Sequence, residues 1–342
     1  MSGPIACEQK VARATLAVYM QGKEGVLVFN PRSGKGKATV RARDFADHWK
    51  MATGNELRLR ATRSLADIRI AARERESEQE IQIFMGGDGT LSESLQGLAE
   101  ANDFQPLQRA VAFLPGGTGN SFLRDFGITS YEEARDAALS AIRDSSQIAI
   151  DSALIEYDSV NADKPTEKGP IRKRIMFNIW GVGLVSDITA KAIRMRHIGD
   201  ANYTVAALQC MSTHKMYRNK FKVNDRGFEE LDYNFISISN SQYTGGSMHI
   251  APTVRINDGQ LYMLRSAIES RFNLLRQFPK VFKGAIAGIP RIYTEMIQSF
   301  AMETHRPVLM NVDGELEEGW NPRLHMIPAW FQLYMPTDRV AD

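Results

Sequence analysis

Three short apolar runs in the first third of the chain each stop at glycine or proline. Gly25-Val26-Leu27-Val28-Phe29, Ile81-Gln82-Ile83-Phe84-Met85 and Val111-Ala112-Phe113-Leu114 are continuous rather than alternating, the pattern of strands buried on both faces. After the second run, Leu91, Leu95 and Leu98 recur at helical spacing. Between the runs the pattern predicts a helix over 42–51, a strand over 56–60, a turn opened by Thr62 and a strongly charged helix over 64–78. A helix is also expected after the Phe122 turn, and another over 130–144, where Ser130 followed three residues on by Glu133 is a capping box. Residues 1–24 carry Val11, Leu16 and Val18 and are expected to supply a preceding strand. Past Ile148 the pattern changes. Strand signals run at 148–157, 174–180, 221–223, 234–239 and 259–265, with a polar stretch at 158–173 as an exposed hairpin loop. Helical blocks at 187–216 and 271–283 interrupt them, and 307–312 is a last strand.

The chemistry sits where the apolar runs end. Ile81 to Met85 meets Gly86-Gly87-Asp88-Gly89-Thr90, then a helix, which is the layout of a phosphate site between strand and helix. Gly86, Gly87 and Gly89 lack Cβ atoms and let backbone N–H groups approach a phosphate. Asp88 is the odd member, because a carboxylate repels phosphates unless a cation lies between or it is there to accept a proton. Either role suits phosphoryl transfer with Mg²⁺ and a hydroxyl acceptor. The bland alternative is a tight turn with an Asp helix cap. The first run meets Asn30-Pro31-Arg32-Ser33-Gly34-Lys35-Gly36-Lys37, a basic turn that is not a Walker A loop, since Gly36 follows Lys35 where Ser or Thr is needed. The third meets Pro115-Gly116-Gly117-Thr118-Gly119-Asn120-Ser121-Phe122. In a parallel sheet the C-terminal ends of strands lie along one edge, so all three turns are expected to converge there.

Length and composition exclude more than they identify. The 342 residues favour two domains, and 43% hydrophobic residues can bury a proper core. A net charge of +2 gives no argument for nucleic acid. Cys7 and Cys210 make neither a disulfide framework nor a zinc site and fit a reducing compartment. No apolar run reaches the ~20 residues of a membrane span. No secretory leader or lipidation box is expected, so the location predicted is cytoplasmic with peripheral membrane association. Oligomeric state is left open, a homo-oligomer included.

Four ordered motifs resemble the diacylglycerol kinase catalytic-domain superfamily, which includes sphingosine, ceramide and bacterial diacylglycerol kinases. They are Asn30 to Lys37, Gly86 to Thr90, Pro115 to Asn120, and Val312-Asp313-Gly314-Glu315. The first and last are especially similar to sphingosine kinases, as are Trp180-Gly181 followed by Asp187 and then Ile198-Gly199-Asp200-Ala201-Asn202-Tyr203-Thr204. The resemblance implies an α/β nucleotide-binding domain with a three-layer, mostly parallel sheet over 1–148. A β-rich, antiparallel, sandwich-like lipid-binding domain follows over 149–329, with the tail of 330–342 packing back on the first. It implies ATP held by Asn30, Thr62, Gly87, Gly117 and Asn120, with Ser33, Gly34, Gly86, Gly89, Thr90, Glu93 and Thr118 in the same motifs. Arg32 and Arg196 would reach phosphates. Asp88, Asp313 and Glu315 would manage Mg²⁺ and the acceptor hydroxyl. The base is the carboxylate at Asp88 or at Asp313, with Asp88 preferred, and Asp187 would recognise the lipid head group. Many bacterial members have Asp where this chain has Ser121, so any carboxylate role there is lost. The Asp258-Gly259 turn resembles a structural-metal region of some bacterial members. The activity implied is transfer of the γ-phosphoryl group of ATP to a lipid's primary hydroxyl, a sphingoid base or ceramide before diacylglycerol. The alternatives are a nicotinamide-dinucleotide kinase, which shares Gly-Gly-Asp-Gly-Thr, and a non-catalytic lipid- or nucleotide-binding protein. A lipid acceptor calls for a membrane surface. Arg271, Arg276, Lys280 and Lys283, interleaved with Phe272, Leu274, Leu275, Phe278, Val281 and Phe282, have the composition of an interfacial segment.

Overall fold

The computed structural model describes residues 23–117, 120–195, 202–281, 283–286 and 288–339. The expected strand before Glu24, and Cys7, Thr118, Gly119, Arg196, the 198–201 part of the sphingosine-kinase-like motif and Phe282, lie outside the described residues. The chain divides into two units. The first takes 1–150 and 330–342 and the second takes 151–329.

The first unit opens with β1 (Gly25–Phe29), α1 (Lys37–Thr53), β2 (Arg58–Ala61) and α2 (Leu65–Arg73). It continues with β3 (Ile81–Gly86), α3 (Asp88–Ala101), β4 (Ala110–Pro115) and α4 (Tyr131–Asp144). β2, β1, β3 and β4 pair in that order and all in parallel. Every residue of β1, β3 and β4 is buried, which explains why their sequences do not alternate. Two expectations change. The charged helix stops at Arg73 rather than running to 78, because Glu74 leaves the helical region at φ −97°, ψ 131°. After Ser121 there is only a 3-10 turn, Phe122–Phe126, closed by Gly127 in the left-handed conformation. The capping box at Ser130 and Glu133 is present as read.

Within β5 (Gln147–Val160) the chain enters the second unit. β6 (Lys168–Met176), β7 (Ile179–Gly183), α5 (Leu184–Arg194), α6 (Asn202–Thr213), β8 (Tyr217–Val223), β9 (Glu229–Tyr233) and β10 (Phe235–Ser239) follow. Then come a two-residue hairpin of β11 (Tyr243–Thr244) and β12 (Met248–His249), β13 (Leu261–Ser266), α7 (Arg271–Val281), β14 (Ile292–Ile297), β15 (Ser299–Glu303), β16 (Val308–Val312) and β17 (Glu315–Tyr334). Pairing within this unit is antiparallel, in the order β14-β13-β10-β7-β16-β17, with β15 bridging β17 and β8. One buried cluster gathers Trp180, Phe221, Phe300 and Val312, and another gathers Leu184, Met211, Leu264 and Leu274. The long strand expected over 174–180 is two strands broken at Phe177 and Asn178, for a reason that belongs to the site. Past Ala329 the end of β17 belongs to the first unit, where Gln332 and Leu333 pair in parallel with Ala110 and Val111.

Candidate active site

The three glycine-rich turns of the first unit meet. Three consecutive residues after β1 are left-handed, Gly34 (φ 61°), Lys35 (φ 58°) and Gly36 (φ 89°). A Cβ on Gly34 would lie 2.2 Å from the Gly116 carbonyl oxygen, so only glycine lets the first turn rest against the third. Gly116 in turn donates its N–H to the Gly86 carbonyl at 2.8 Å, and a Cβ there would stand 3.0 Å from the Gly86 backbone. The convergence expected from three separate strand ends is therefore a set of backbone contacts, made possible by the parallel order of β1, β3 and β4.

Side chains set the shape of each turn. The Asn30 side chain accepts from the Arg32 N–H (2.9 Å) and its carbonyl from the Ser33 N–H (3.0 Å), folding the first turn back. Arg32, Lys35 and Lys37 stay exposed beside it. Thr62 is buried and ties the end of β2 to β1, donating its N–H and its hydroxyl to the Phe29 carbonyl (2.8 and 3.1 Å). Gly87 is the N-cap of α3, with Asp88, Gly89 and Thr90 in its first turn and the Thr90 side chain folded over Gly86. Gly117 lies over Gly87, and Asn120 donates to the Gly117 carbonyl at 3.1 Å. The Asn120 Oδ1 is buried with no hydrogen-bond partner among the described residues. A buried acceptor left unpaired beside a glycine-lined cradle fits a donor brought by a ligand, such as a nucleotide amine or hydroxyl. Glu93 is buried on α3 with its carboxylate 3.7 Å from the Arg69 guanidinium of α2. Sequence reasoning missed Arg41. From α1 it donates to the Pro115 carbonyl at 3.1 Å and stacks on Tyr131, bracing the third turn with a cation.

Asp88 is half-buried among donors. Its Oδ2 accepts from the Ser121 N–H at 3.0 Å and from the Ser121 hydroxyl, and its Oδ1 from the Phe122 N–H at 3.4 Å. Burial pushes the carboxyl above its ordinary value, while those three donors hold it down.

In the second unit, Asp313 and Gly314 are the two left-handed residues (φ 52° and 94°) of the hairpin joining β16 to β17, the positions that favour Asp-Gly. The Asp313 carboxylate turns inward. It accepts from the N–H groups of Phe177 (3.1 Å), Asn178 (3.0 Å) and Ile179 (2.8 Å). These bonds occupy the backbone between β6 and β7, which is why the strand expected there breaks. Burial pushes the Asp313 carboxyl up to about 7, against the pull of these N–H groups and of Arg174. Glu315 opens β17 opposite Val312. Asp187 lies in the helix that follows β7. It sits inside the first turn of α5, whose N-cap is Gly183, and accepts from the Tyr217 hydroxyl. That bond and burial raise the Tyr217 phenol above its ordinary value.

Among the described residues no three His, Cys, Asp or Glu side chains are grouped to hold a metal. Asp258 caps its own turn, accepting from the Arg255 and Gln260 N–H groups. Mg²⁺ needs no protein cage. It is commonly held largely by substrate phosphates and water, with few protein ligands.

A parallel α/β unit with a glycine-lined cradle, followed by an antiparallel β-rich unit, suits a nucleotide-dependent kinase. Profiles of two domains match the chain, the diacylglycerol kinase catalytic domain over residues 24–155 and the YegS C-terminal NAD kinase beta sandwich-like domain over 180–335. The chain carries matches to both domains in this order and is an ATP-dependent lipid kinase. It is 28% identical over 257 residues to a protein named diacylglycerol kinase from Mycobacterium tuberculosis, covering 73% of this chain and 75% of that one. It is 25% identical over 263 residues to "Probable lipid kinase YegS" of Shigella flexneri, covering 74% and 77%. The crystal structure of a diacylglycerol kinase from Bacillus anthracis shares the fold, with a TM-score of 0.64 at 19% identity over 93% of this chain and 98% of that one.

Proposed function

We propose that the chain transfers the γ-phosphoryl group of ATP to the primary hydroxyl of a neutral glycerolipid of the diacylglycerol type, taken from a membrane surface. The observation that carries the acceptor class is the bond from Tyr217 to Asp187. A carboxylate near a lipid head group would go unpaired opposite an uncharged ester, at a cost of a few kcal/mol, were it not already bonded. Here a hydroxyl from β8 gives it a donor whatever the substrate, which supports an uncharged acceptor, as do the names of the relatives. The second reading, a sphingoid base or ceramide, rests on the motif around Trp180 and Asp187, where the carboxylate would also accept from an ammonium or amide N–H.

In the transfer, backbone N–H groups of the turns at Gly34, Gly87 and Gly117 receive the phosphates, and Arg32, Lys35 and Lys37 add positive charge. A bound Mg²⁺ would supply neutralisation of phosphate charge. Asp88 takes the acceptor proton late in the transfer, a role worth roughly 10²–10⁴-fold.

Membrane contact falls to the outer face of α7. Leu274 is buried and Leu275 and Phe278 pack on the same core cluster, so much of the apolar composition of 271–283 belongs to the core. Arg271, Phe272, Arg276, Pro279, Lys280 and Lys283 remain exposed, Phe272 at 72%. A large apolar side chain among cations suits an anionic bilayer. No helix among the described residues is long and apolar enough to cross one.

The test is a panel of acceptors in mixed micelles with labelled ATP: diacylglycerol, sphingosine, ceramide and, without micelles, NAD. Higher kcat/KM on diacylglycerol, with Asp187→Asn affecting it and sphingosine alike, is the result expected. Preference for sphingosine, lost selectively in Asp187→Asn, makes the acceptor a sphingoid base. Turnover with NAD alone overturns both readings.

A further inference from the structure

We infer that Ser121 is the positioning residue of Asp88: its hydroxyl and N–H together fix Oδ2, so that Oδ1 alone faces the acceptor hydroxyl. This rests on the reading of Asp88 as the base.

A carboxylate has about four lone-pair sites. At Asp88, Ser121 fills both on Oδ2 and the Phe122 N–H takes one on Oδ1, through a long contact of 3.4 Å. One site remains. Asp88 can therefore accept one proton or touch one cation, and cannot chelate a metal through both oxygens. Ser121 has no exposed surface, so water does not substitute for its hydroxyl. It sits on the segment that carries the third turn, while Asp88 begins the helix after the second. The two are locked together by the Gly116 to Gly86 backbone bond. Two neutral donors from Ser121 beside Asp88 favour the ionised form that a base requires. In the step itself, the acceptor O–H bond breaks toward Asp88 Oδ1 as its oxygen bonds the γ-phosphorus, and ADP leaves with the electrons of the β–γ bridge.

The experiment measures kcat, KM for ATP and the pH profile of kcat for wild type, Ser121→Ala, Ser121→Thr and Asp88→Asn, with thermal midpoints taken in parallel. Ser121→Ala keeps the N–H and loses the hydroxyl. We expect its kcat to fall about 10- to 100-fold, the scale of a misplaced catalytic group, with KM for ATP little changed. Its acidic limb should move to higher pH, since the carboxylate loses a donor that stabilises its charge. Ser121→Thr keeps the hydroxyl and should restore the position of the limb. If its added methyl lowers the midpoint, the limb of Ser121→Ala still decides. An unmoved limb and wild-type kcat in Ser121→Ala, beside an inactive Asp88→Asn, overturn the role of Ser121 and leave that of Asp88 standing. Near-normal kcat in Asp88→Asn overturns the base reading itself.

Discussion

Two aspartates that look alike in the sequence are held in different ways. Three donors hold each carboxylate: the Ser121 hydroxyl with the Ser121 and Phe122 N–H groups at Asp88, and three consecutive backbone N–H groups, which keep β6 and β7 apart, at Asp313. Substitution separates them. Asp88→Asn should lower turnover at least ~10²-fold with the thermal midpoint intact, as expected for a lost base. Asp313→Asn keeps the left-handed turn, since Asn tolerates positive φ, but sets an amide where N–H groups need an acceptor. We expect a lowered midpoint and a milder loss of turnover. The sign of its pH dependence follows from its carboxyl, raised from 3.8 to about 7 in the fold. The contribution is fully present below 3.8 and is lost as pH rises through about 7. Wild type should thus lose more midpoint than Asp313→Asn between those values, and parallel melting curves check it. Neither geometry could be read in the sequence. Ser121 is 33 positions from Asp88, and Phe177 is 136 from Asp313. Only the Asp-Gly pair itself, a hairpin signal left unused, pointed to a turn at 313.

At the scale of the element, the strands of the first unit were legible because both faces of each are buried, which leaves an uninterrupted apolar run ending at glycine. Helix ends were legible where a cap carries them, as at Ser130, and illegible where charge alone marked the helix, as past Arg73. The contact between turns has a direct test. Gly34→Ala places a Cβ on the Gly116 carbonyl at a left-handed position, so the first and third turns must part. KM for ATP should rise by about tenfold or more, the effect of displacing binding groups by an ångström, with a smaller change in KM for the lipid. On α7, composition overstated the apolar face, because periodicity cannot say which side packs on the sheet. The exposed cations carry their own prediction. Arg276→Glu with Lys280→Glu should weaken sedimentation with anionic vesicles, each cation near such a surface being worth about 1 kcal/mol. Activity on a short-chain soluble acceptor should survive. Unchanged vesicle binding would leave α7 a packing helix.

At the scale of the whole molecule, the change of pattern near Ile148 marks where a parallel sheet gives way to an antiparallel one, and the chain passes between units at Asp151 and Trp330. The order of the motifs is what made the class legible, because turns that come together in space are separated in sequence by the strands and helices that place them. The surroundings of Asp187 were less legible, since Tyr217 reaches it from a strand thirty positions on. The central claim is transfer of the γ-phosphoryl group of ATP to a lipid hydroxyl by the Asp88 site. The direct measurement incubates γ-labelled ATP with diacylglycerol micelles and follows label into the lipid phase, for wild type and Asp88→Asn. The account predicts labelled phospholipid and one ADP per lipid phosphorylated with wild type, and at least ~10²-fold less with the variant. Label that stays in ATP or inorganic phosphate across the lipid panel, or an Asp88→Asn variant that labels lipid as fast as wild type, would contradict it.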